Sequence, residues 1–146
     1  TLAHQRIEVE DTAAAVLRYK NGAMGVIECA TSVHPGLPRR IEIHGEKGTV
    51  ILTDDTLLKW QFADEHPDDA ALRERFGPEH AKESKSSSDP GAFDHASHRE
   101  QIGDFLRSLE TGLPPTVDGR EGRKAIEIII AIYRSAQSGR TVHLPL

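Results

Sequence analysis

The chain has 146 residues, which suits one domain large enough to bury its own core. Acidic residues outnumber Lys and Arg by 23 to 18 and no basic run stands out, so we expect no nucleic-acid partner. Its longest apolar run is far too short to span a bilayer, so we expect no membrane partner. Its one cysteine suits a reducing compartment, so we expect a cytoplasmic location.

The first predicted element is a β-hairpin. Asn21-Gly22 separates two runs of small, β-branched and apolar residues, and this dipeptide favours a type I′ turn with positive φ at both positions. In the register that this turn implies, Val16 lies opposite Ile27, and both faces of the hairpin carry apolar side chains. The second run also holds Cys29, which we predict to be a small core residue. A sheet that is apolar on both faces needs cover on both.

An antiparallel meander is predicted next. Residues 40–44 alternate between polar side chains and isoleucine, residues 45–48 form a turn, and residues 49–53 are a β-branched run. A turn at Asp54-Asp55 leads to a strand in which Leu58, Trp60 and Phe62 share one face. Arg39-Arg40, just before the meander, could meet an acidic substrate or a partner subunit, although a solvated edge is the favoured interpretation.

A long loop over residues 63–95 follows, with a short helix over residues 70–76. Charged residues, serines and prolines dominate this stretch, so we expect part of it, near residues 82–88, to be mobile.

Two amphipathic helices and a last strand complete the chain. Ser97 and Glu100 fit a capping box at the start of the first helix, which Gly112 ends. Asp118 starts the second helix and Gly139 ends it, and a final strand over residues 141–144 is expected to rejoin the sheet. The first helix has an apolar stripe of Ile102, Phe105, Leu106 and Leu109; the second has a predicted core stripe of Ala125, Ile128, Ile129, Ile132 and Ala136.

These elements predict an α+β fold. We expect an open, mostly antiparallel sheet with helices packed on one face and the other face available for oligomerisation.

Three stretches of the chain form an ordered set of motifs: VEDTA at 9–13 with GVIE at 25–28, IEIHGEKGT at 41–49, and HREQI at 98–102 followed by DFL at 104–106, Gly112, Pro114-Pro115 and GRTV at 139–142. Their order and spacing resemble the carboxy-terminal domain of the glucose–fructose oxidoreductase, inositol dehydrogenase and rhizopine-catabolism family (Gfo/Idh/MocA). The resemblance implies a two-domain parent, in which an amino-terminal Rossmann domain binds NAD or NADP. Residues 1–146 would then be its carboxy-terminal substrate and oligomerisation domain.

The parts that such an enzyme needs for chemistry are not found in the sequence. There is no Gly-x-Gly-x-x-Gly turn to hold a pyrophosphate. The family's catalytic lysine segment and its Asp-and-His helix would lie upstream, so the chain is expected to be a fragment of the enzyme. We therefore expect no catalytic residue, no cofactor-binding residue, no bound cofactor and no turnover from this chain alone.

His95 and His98 are the candidate substrate-binding residues. In inositol dehydrogenase-like members of the family, tyrosines at similar positions reach toward the polyol, and histidine can also exchange hydrogen bonds with hydroxyls. The alternative is a pair of surface histidines on a polar face. His80, Asp94 and Glu100 are close in sequence, but the spacing does not fit a zinc motif, and we expect no metal.

The leading hypothesis is a fragment of an NAD(P)-dependent oxidoreductase acting on a sugar, polyol or related hydroxy or keto compound. Its partners would be its own Rossmann domain, a small-molecule substrate and further copies of itself. The alternative is a stand-alone, sheet-mediated interaction module without catalysis. A third hypothesis is a small-molecule or metal-binding module that uses His95 and His98.

Overall fold

The computed structural model describes residues 6–54, 56–80 and 95–146, in two compact units: Thr1–Ala13 with Glu28–Phe93, and Ala14–Ile27 with Asp94–Leu146. The predicted α+β class is confirmed, and the strands form one two-stranded and one three-stranded antiparallel sheet. The elements are β1 (Thr12–Arg18), β2 (Met24–Ala30), β3 (Arg40–Gly45), β4 (Gly48–Thr53), β5 (Thr56–Phe62), α1 (Asp69–Phe76), a 3-10 turn (Pro78–His80), α2 (Ala96–Thr111) and α3 (Gly119–Ser138).

The β1–β2 hairpin is present, but its turn differs from the predicted type I′ turn. Gly22 has φ of 89°, whereas Asn21 is not among the described residues with positive φ. The Gly22 amide donates to the Tyr19 carbonyl at 3.0 Å, and the Tyr19 amide donates to the Ala23 carbonyl at 2.9 Å. This is a three-residue loop that ends on a glycine with positive φ.

The longer loop shifts the hairpin register by one residue from the predicted one. At the far end of the hairpin, the Thr31 amide donates to the Asp11 carbonyl at 2.9 Å, in the same register as the pair beside the loop. These bonds place Leu17 opposite Gly25, which agrees with the approach of Leu17 to Gly25. The predicted pairing of Val16 with Ile27 was therefore wrong.

Apolar side chains lie on both faces of this hairpin, as the sequence predicted. Ala15, Leu17 and Ile27 are half-buried, while Val16 and Val26 on the opposite face are more than half exposed. Adjacent side chains in a strand point to opposite faces, so the whole exposed row shares one face.

Cys29, near the end of β2, is an exposed free thiol. The prediction of a buried core residue was wrong. Cys29 follows Ile27 on the more covered face of the hairpin and is still exposed, so apolar neighbours in sequence do not by themselves bury a side chain.

The predicted meander is confirmed as the sheet β3-β4-β5. Gly45 pairs with Gly48, so the segment between them is a hairpin turn. Gly48 has a specific role, because a Cβ there would lie 2.2 Å from the Phe62 ring. Asp54, with φ of 49°, makes the next turn, and Asp55 lies outside the described residues.

A β-bulge in β5 changes which leucine is buried. Ile51 pairs with Lys59 and Leu52 pairs with Leu57, which leaves Leu58 as the extra residue. Leu57 is 6% exposed and belongs to the core, whereas Leu58 is 47% exposed. The prediction that Leu58 shares the face of Trp60 missed this bulge.

Helix α1 packs against β5 through a buried carboxylate. The Trp60 indole donates to one oxygen of Asp69 at 2.8 Å, and the His66 amide donates to the other at 2.8 Å. These two bonds, the indole bond first, hold the pKa of Asp69 below its usual value. The helix confirms the short helix predicted within the loop over residues 63–95. The mobile part predicted near residues 82–88 lies outside the described residues.

Helix α2 ends as predicted but begins differently. Gly112 has φ of 69°, and its amide donates to the Ser108 carbonyl at 2.9 Å. At the other end His95 is the N-cap residue and makes no side-chain capping bond. The predicted Ser97–Glu100 capping box is therefore absent, because the helix starts one residue before Ser97 and places it inside the first turn.

Helix α3 has the predicted start and end. The Asp118 carboxylate accepts from the amides of Arg120 at 2.8 Å and Glu121 at 2.9 Å. Gly139 has φ of 64°, and its amide donates to the Ser135 carbonyl at 2.8 Å.

The covered face of α3 is rotated from the predicted stripe. Ala131 is 8% exposed, while Ile129, which was predicted to be in the core, is 48% exposed. The Ser135 hydroxyl donates to the Arg140 carbonyl at 2.8 Å, and the Leu146 amide donates to Glu127. The tail thus runs back along the side of α3 that carries Ala131.

Residues 141–144 form no strand in the described structure, so the predicted last strand was wrong. The tail is held by hydrogen bonds to α3 instead. None of the described helices is both long enough and apolar enough to cross a membrane.

Candidate functional site

The candidate histidines lie at the amino end of α2. The His95 carbonyl accepts from the Arg99 amide at 3.0 Å, so the helical hydrogen bonds extend back to His95. His98 lies three residues further on, about 60° around the helix axis. Both side chains are exposed, and the structure brings them to one side of the helix. Substrate binding by this pair remains a prediction.

The apolar stripe of α2 begins on the same side as the histidines. His98 is four residues before Ile102 and seven before Phe105, which are helical spacings. Ile102, Phe105, Leu106 and Leu109 are each more than half exposed. Both histidines are exposed, as in the alternative of a surface pair, but His98 lies at the amino end of this apolar face and not on a polar one.

Arg99 also belongs to the first turn of α2, and the sequence interpretation gave it no role. The first turn of this helix has no acidic residue. Glu100 lies about 160° around the axis from His98, so it points to another side of the helix. The sequence could have indicated Arg99 as a candidate binding residue through its position beside His98, in a turn without a carboxylate.

A second feature of α2 is the link between Asp104 and Thr116. The Asp104 carboxylate accepts from the Thr116 amide at 2.7 Å and from its hydroxyl at 3.2 Å, and Arg107 lies 3.5 Å from the same carboxylate. The bond from the Thr116 amide contributes most to lowering the pKa of Asp104. Asp104 thus ties the segment before α3 to α2.

An open cleft of about 700 Å³ lies between α2 and this tied segment. Ser97, Glu100 and Gln101 line its polar side, and Phe105 and Val117 line its apolar side. Neither His95 nor His98 is among its lining residues. Ile102 and Phe105, which continue the side of α2 that begins at His98, also line the cleft, so the cleft borders the histidine side of the helix.

The polar face of β3 carries a small hydrogen-bonded network. His44 Nε2 lies 3.0 Å from a Glu42 oxygen, and Arg40 pairs with the other oxygen. The bond with His44 contributes most to lowering the pKa of Glu42. Thr49 Oγ1 lies 3.5 Å from His44 Nδ1, at the limit of a hydrogen bond. The exposed position of these side chains fits a solvated sheet face.

Arg39 and Arg40 both have carboxylate partners on the sheet. Arg39 Nε lies 3.3 Å from Asp54 Oδ1, and Arg40 pairs with Glu42. This arrangement agrees with the favoured interpretation of a solvated edge.

Metal ligands do not converge within the part of the chain that the structure describes. No group of three His, Cys, Asp or Glu side chains lies close enough together there to hold an ion. Asp94, one of the residues considered with His95 and His98, lies outside the described residues.

The described residues do not fit a dinucleotide. Pyrophosphate is usually held where a parallel strand runs through a glycine-rich turn into a helix. Here the paired strands are antiparallel, and Gly45 and Gly48 flank a tight turn that leads from β3 into β4. A nicotinamide cofactor would need residues other than these.

Comparison with known proteins identifies the family of the chain. The family model described as the oxidoreductase family, C-terminal alpha/beta domain (Gfo/Idh/MocA) matches residues 2–144. The chain belongs to this family.

The chain is also similar to the myo-inositol 2-dehydrogenase of Thermotoga maritima. The two are 29% identical over 134 residues, which is 92% of this chain and 36% of the relative. The chain thus spans about a third of the length of the curated relative that it matches. No solved structure gives a significant match.

Proposed function

We propose that the chain is the carboxy-terminal domain of an NAD(P)-dependent oxidoreductase that acts on a sugar, a polyol or a related hydroxy or keto compound. The observation that carries the proposal is the family match over residues 2–144. The similarity to a myo-inositol 2-dehydrogenase supports a polyhydroxylated substrate. Members of this family typically use NAD or NADP, which supports the cofactor class.

Within such an enzyme, this domain would contribute part of the substrate pocket. His95 and His98 share one side of α2, are exposed, and lie where an apolar stripe begins. A sugar ring offers hydroxyls at its edge and C–H groups on its faces. The two histidines can bind the hydroxyls, and Ile102 and Phe105 can contact the apolar face.

The catalytic and cofactor-binding groups would lie outside residues 1–146 of the same protein, with the cofactor held by its Rossmann domain. This assignment is supported by the absence of a Gly-x-Gly-x-x-Gly turn from the sequence and by the antiparallel pairing of the described strands. On this proposal the domain alone binds no nicotinamide and has no turnover.

A homo-oligomer is the proposed assembly, with the sheet as its interface. The exposed row of the β1–β2 hairpin, which includes Val16, Met24 and Val26, supports this role. Contiguous exposed apolar side chains are typical of surfaces that another molecule covers.

The same row favours the second candidate, a sheet-mediated interaction module without catalysis. The reducing cytoplasm is the proposed location for either candidate, supported by the free thiol of Cys29.

The experiment that separates the two candidates uses the full-length protein. It is incubated with NAD⁺ or NADP⁺ and, in turn, myo-inositol and a set of aldoses, and reduced nicotinamide is followed by its absorbance. The oxidoreductase proposal predicts substrate-dependent reduction with at least one pair. Self-association measured by light scattering, together with no reduction for any pair, would favour the interaction module.

A further inference from the structure

The first turn of α2 places three hydrogen-bonding side chains along one arc of the helix. His95, His98 and Arg99 lie within about 100° of one another around the axis. All three side chains are exposed. No side-chain hydrogen bond or ion pair is formed by any of them with the described residues.

The charge of this arc is not balanced within the described residues. Elsewhere in the chain Arg39, Arg73 and Arg107 each face a carboxylate at 3.1–3.5 Å. In the first turn of α2 there is no acidic residue, and Glu100 points to the cleft side. Among the described residues, Arg99 therefore has no carboxylate partner, and it lies next to two imidazoles.

An arginine beside two histidines fits one class of ligand better than a neutral polyol. A guanidinium binds a planar carboxylate or a phosphate with two parallel hydrogen bonds, and such charge-assisted bonds are about twice as strong as neutral ones. Imidazole nitrogens can bind the anion or the hydroxyls next to it. A neutral polyol would use only the weaker kind of bond at Arg99.

The apolar side chains on the same face fit the rest of such a ligand. Ile102 follows His98 after one turn and Phe105 after two, and both are more than half exposed. A ring placed along the helix would lay its C–H face on these side chains, with its charged end at Arg99.

We propose that the first turn of α2 is a specificity element that selects a sugar or polyol carrying an anionic group. Arg99 holds the carboxylate or phosphate, and His95 and His98 hold the neighbouring hydroxyls. The proposal rests on the proposed oxidoreductase function, since it names the substrate class of that same pocket.

The test measures binding to the full-length protein by calorimetry. Three probes share one ring: D-glucose, D-glucuronate with a carboxylate, and D-glucose 6-phosphate with a phosphate. We expect at least one anionic probe to bind about 10-fold or more tightly than glucose, the ratio expected for one charge-assisted bond pair. The two anionic arms distinguish a carboxylate from a phosphate ligand.

Arg99→Gln and Arg120→Gln form a matched pair of variants. Each removes one exposed arginine from the first turn of a long helix, α2 or α3. Arg99→Gln should abolish the preference for the anion, whereas Arg120→Gln should keep both the preference and the affinity for glucose. If both variants lower anion binding equally, the effect is one of overall charge and the inference is overturned.

Other outcomes separate this inference from the proposed function. Turnover of a neutral sugar without any preference for an anion overturns the inference and leaves the oxidoreductase intact. Arg99-dependent anion binding without nicotinamide reduction for any probe upholds the binding site and counts against the enzyme. Failure of all three probes to bind also overturns the inference.

Discussion

Helices α2 and α3 differ in how much of each the described residues cover. Asp118 caps the start of α3, and the tail runs along the side on which Ala131 is buried. At α2 the N-cap residue His95 makes no side-chain capping bond, and no residue of the helix is buried. A helix that is apolar on an uncovered face needs a partner for that face. The difference supports a structural role for α3 and a binding role for α2.

The largest expected effect comes from a charge placed on the covered side of α3. Ala131→Asp should destabilise the protein by about 3–5 kcal/mol, the usual cost of an unpaired buried charge. Ile129→Asp, on a side that is 48% exposed, should cost far less. Urea unfolding of both variants measures the difference. Equal losses would show that the tail does not define the buried side of α3.

The next effect compares the two helix starts. Asp118→Ala should cost about 1 kcal/mol, because the Arg120 and Glu121 amides lose their acceptor. Ser97→Ala in the first turn of α2 should change stability by less than about 0.5 kcal/mol, since it removes no capping bond. Thermal unfolding checks both. A loss at Ser97 as large as that at Asp118 would mean that α2 is capped after all.

A smaller effect is expected where the tail meets α3. Glu127→Ala removes the acceptor of the Leu146 amide and should cost about 0.5 kcal/mol, the low end for one exposed hydrogen bond. Glu110→Ala, on the exposed surface of α2, is the matched control. Hydrogen exchange of the Leu146 amide should speed up in the first variant alone. Unchanged protection in Glu127→Ala would argue against the hydrogen bond.

The smallest effect is the acid dependence contributed by Asp104. Its pKa is lowered in the folded protein, chiefly by the Thr116 amide, so the unfolded chain binds protons first as the pH falls. Its stabilising contribution is therefore complete above the unfolded pKa of about 3.9 and is lost as the pH falls through the lower folded value. Asp104→Asn should flatten this part of the stability profile. The measurement is the free energy of unfolding of the wild-type protein and of Asp104→Asn as the pH is lowered. If both lose stability over the same acid range and by the same amount, Asp104 makes no such contribution.

Signals confined to a few neighbouring residues predicted local structure well. Gly112 and Gly139 were predicted to end the two long helices, and both have the positive φ that this role requires. Asp118 was predicted to start α3 because its carboxylate can reach the first amides of a helix. Each of these features depends on residues within one turn, so the sequence is sufficient to predict it.

Features that depend on distant partners were predicted poorly. The hairpin register changed because a three-residue loop replaced a two-residue turn, and Leu58 was displaced by a bulge. The covered side of α3 depends on a tail that returns along the helix. No local pattern predicts such a return, because it is settled by which hydrogen bonds form across the fold.

The candidate site shows the same limit. His95 and His98 were found through a resemblance, whereas the role proposed for Arg99 needed the helix start to be located. The bond between Asp104 and Thr116 joins residues twelve positions apart through a proline-containing turn. Nothing in the spacing of these two residues predicts their contact.

The most direct test of the account is the steady-state kinetics of the full-length protein with His98→Ala and with His143→Ala, an exposed histidine in the tail. With its best substrate and nicotinamide cofactor, the account predicts that His98→Ala raises KM about 10-fold or more, since it removes hydrogen bonds to the substrate. His143→Ala should leave KM unchanged. A KM unchanged by His98→Ala, or raised equally by both variants, would contradict a substrate site at the start of α2.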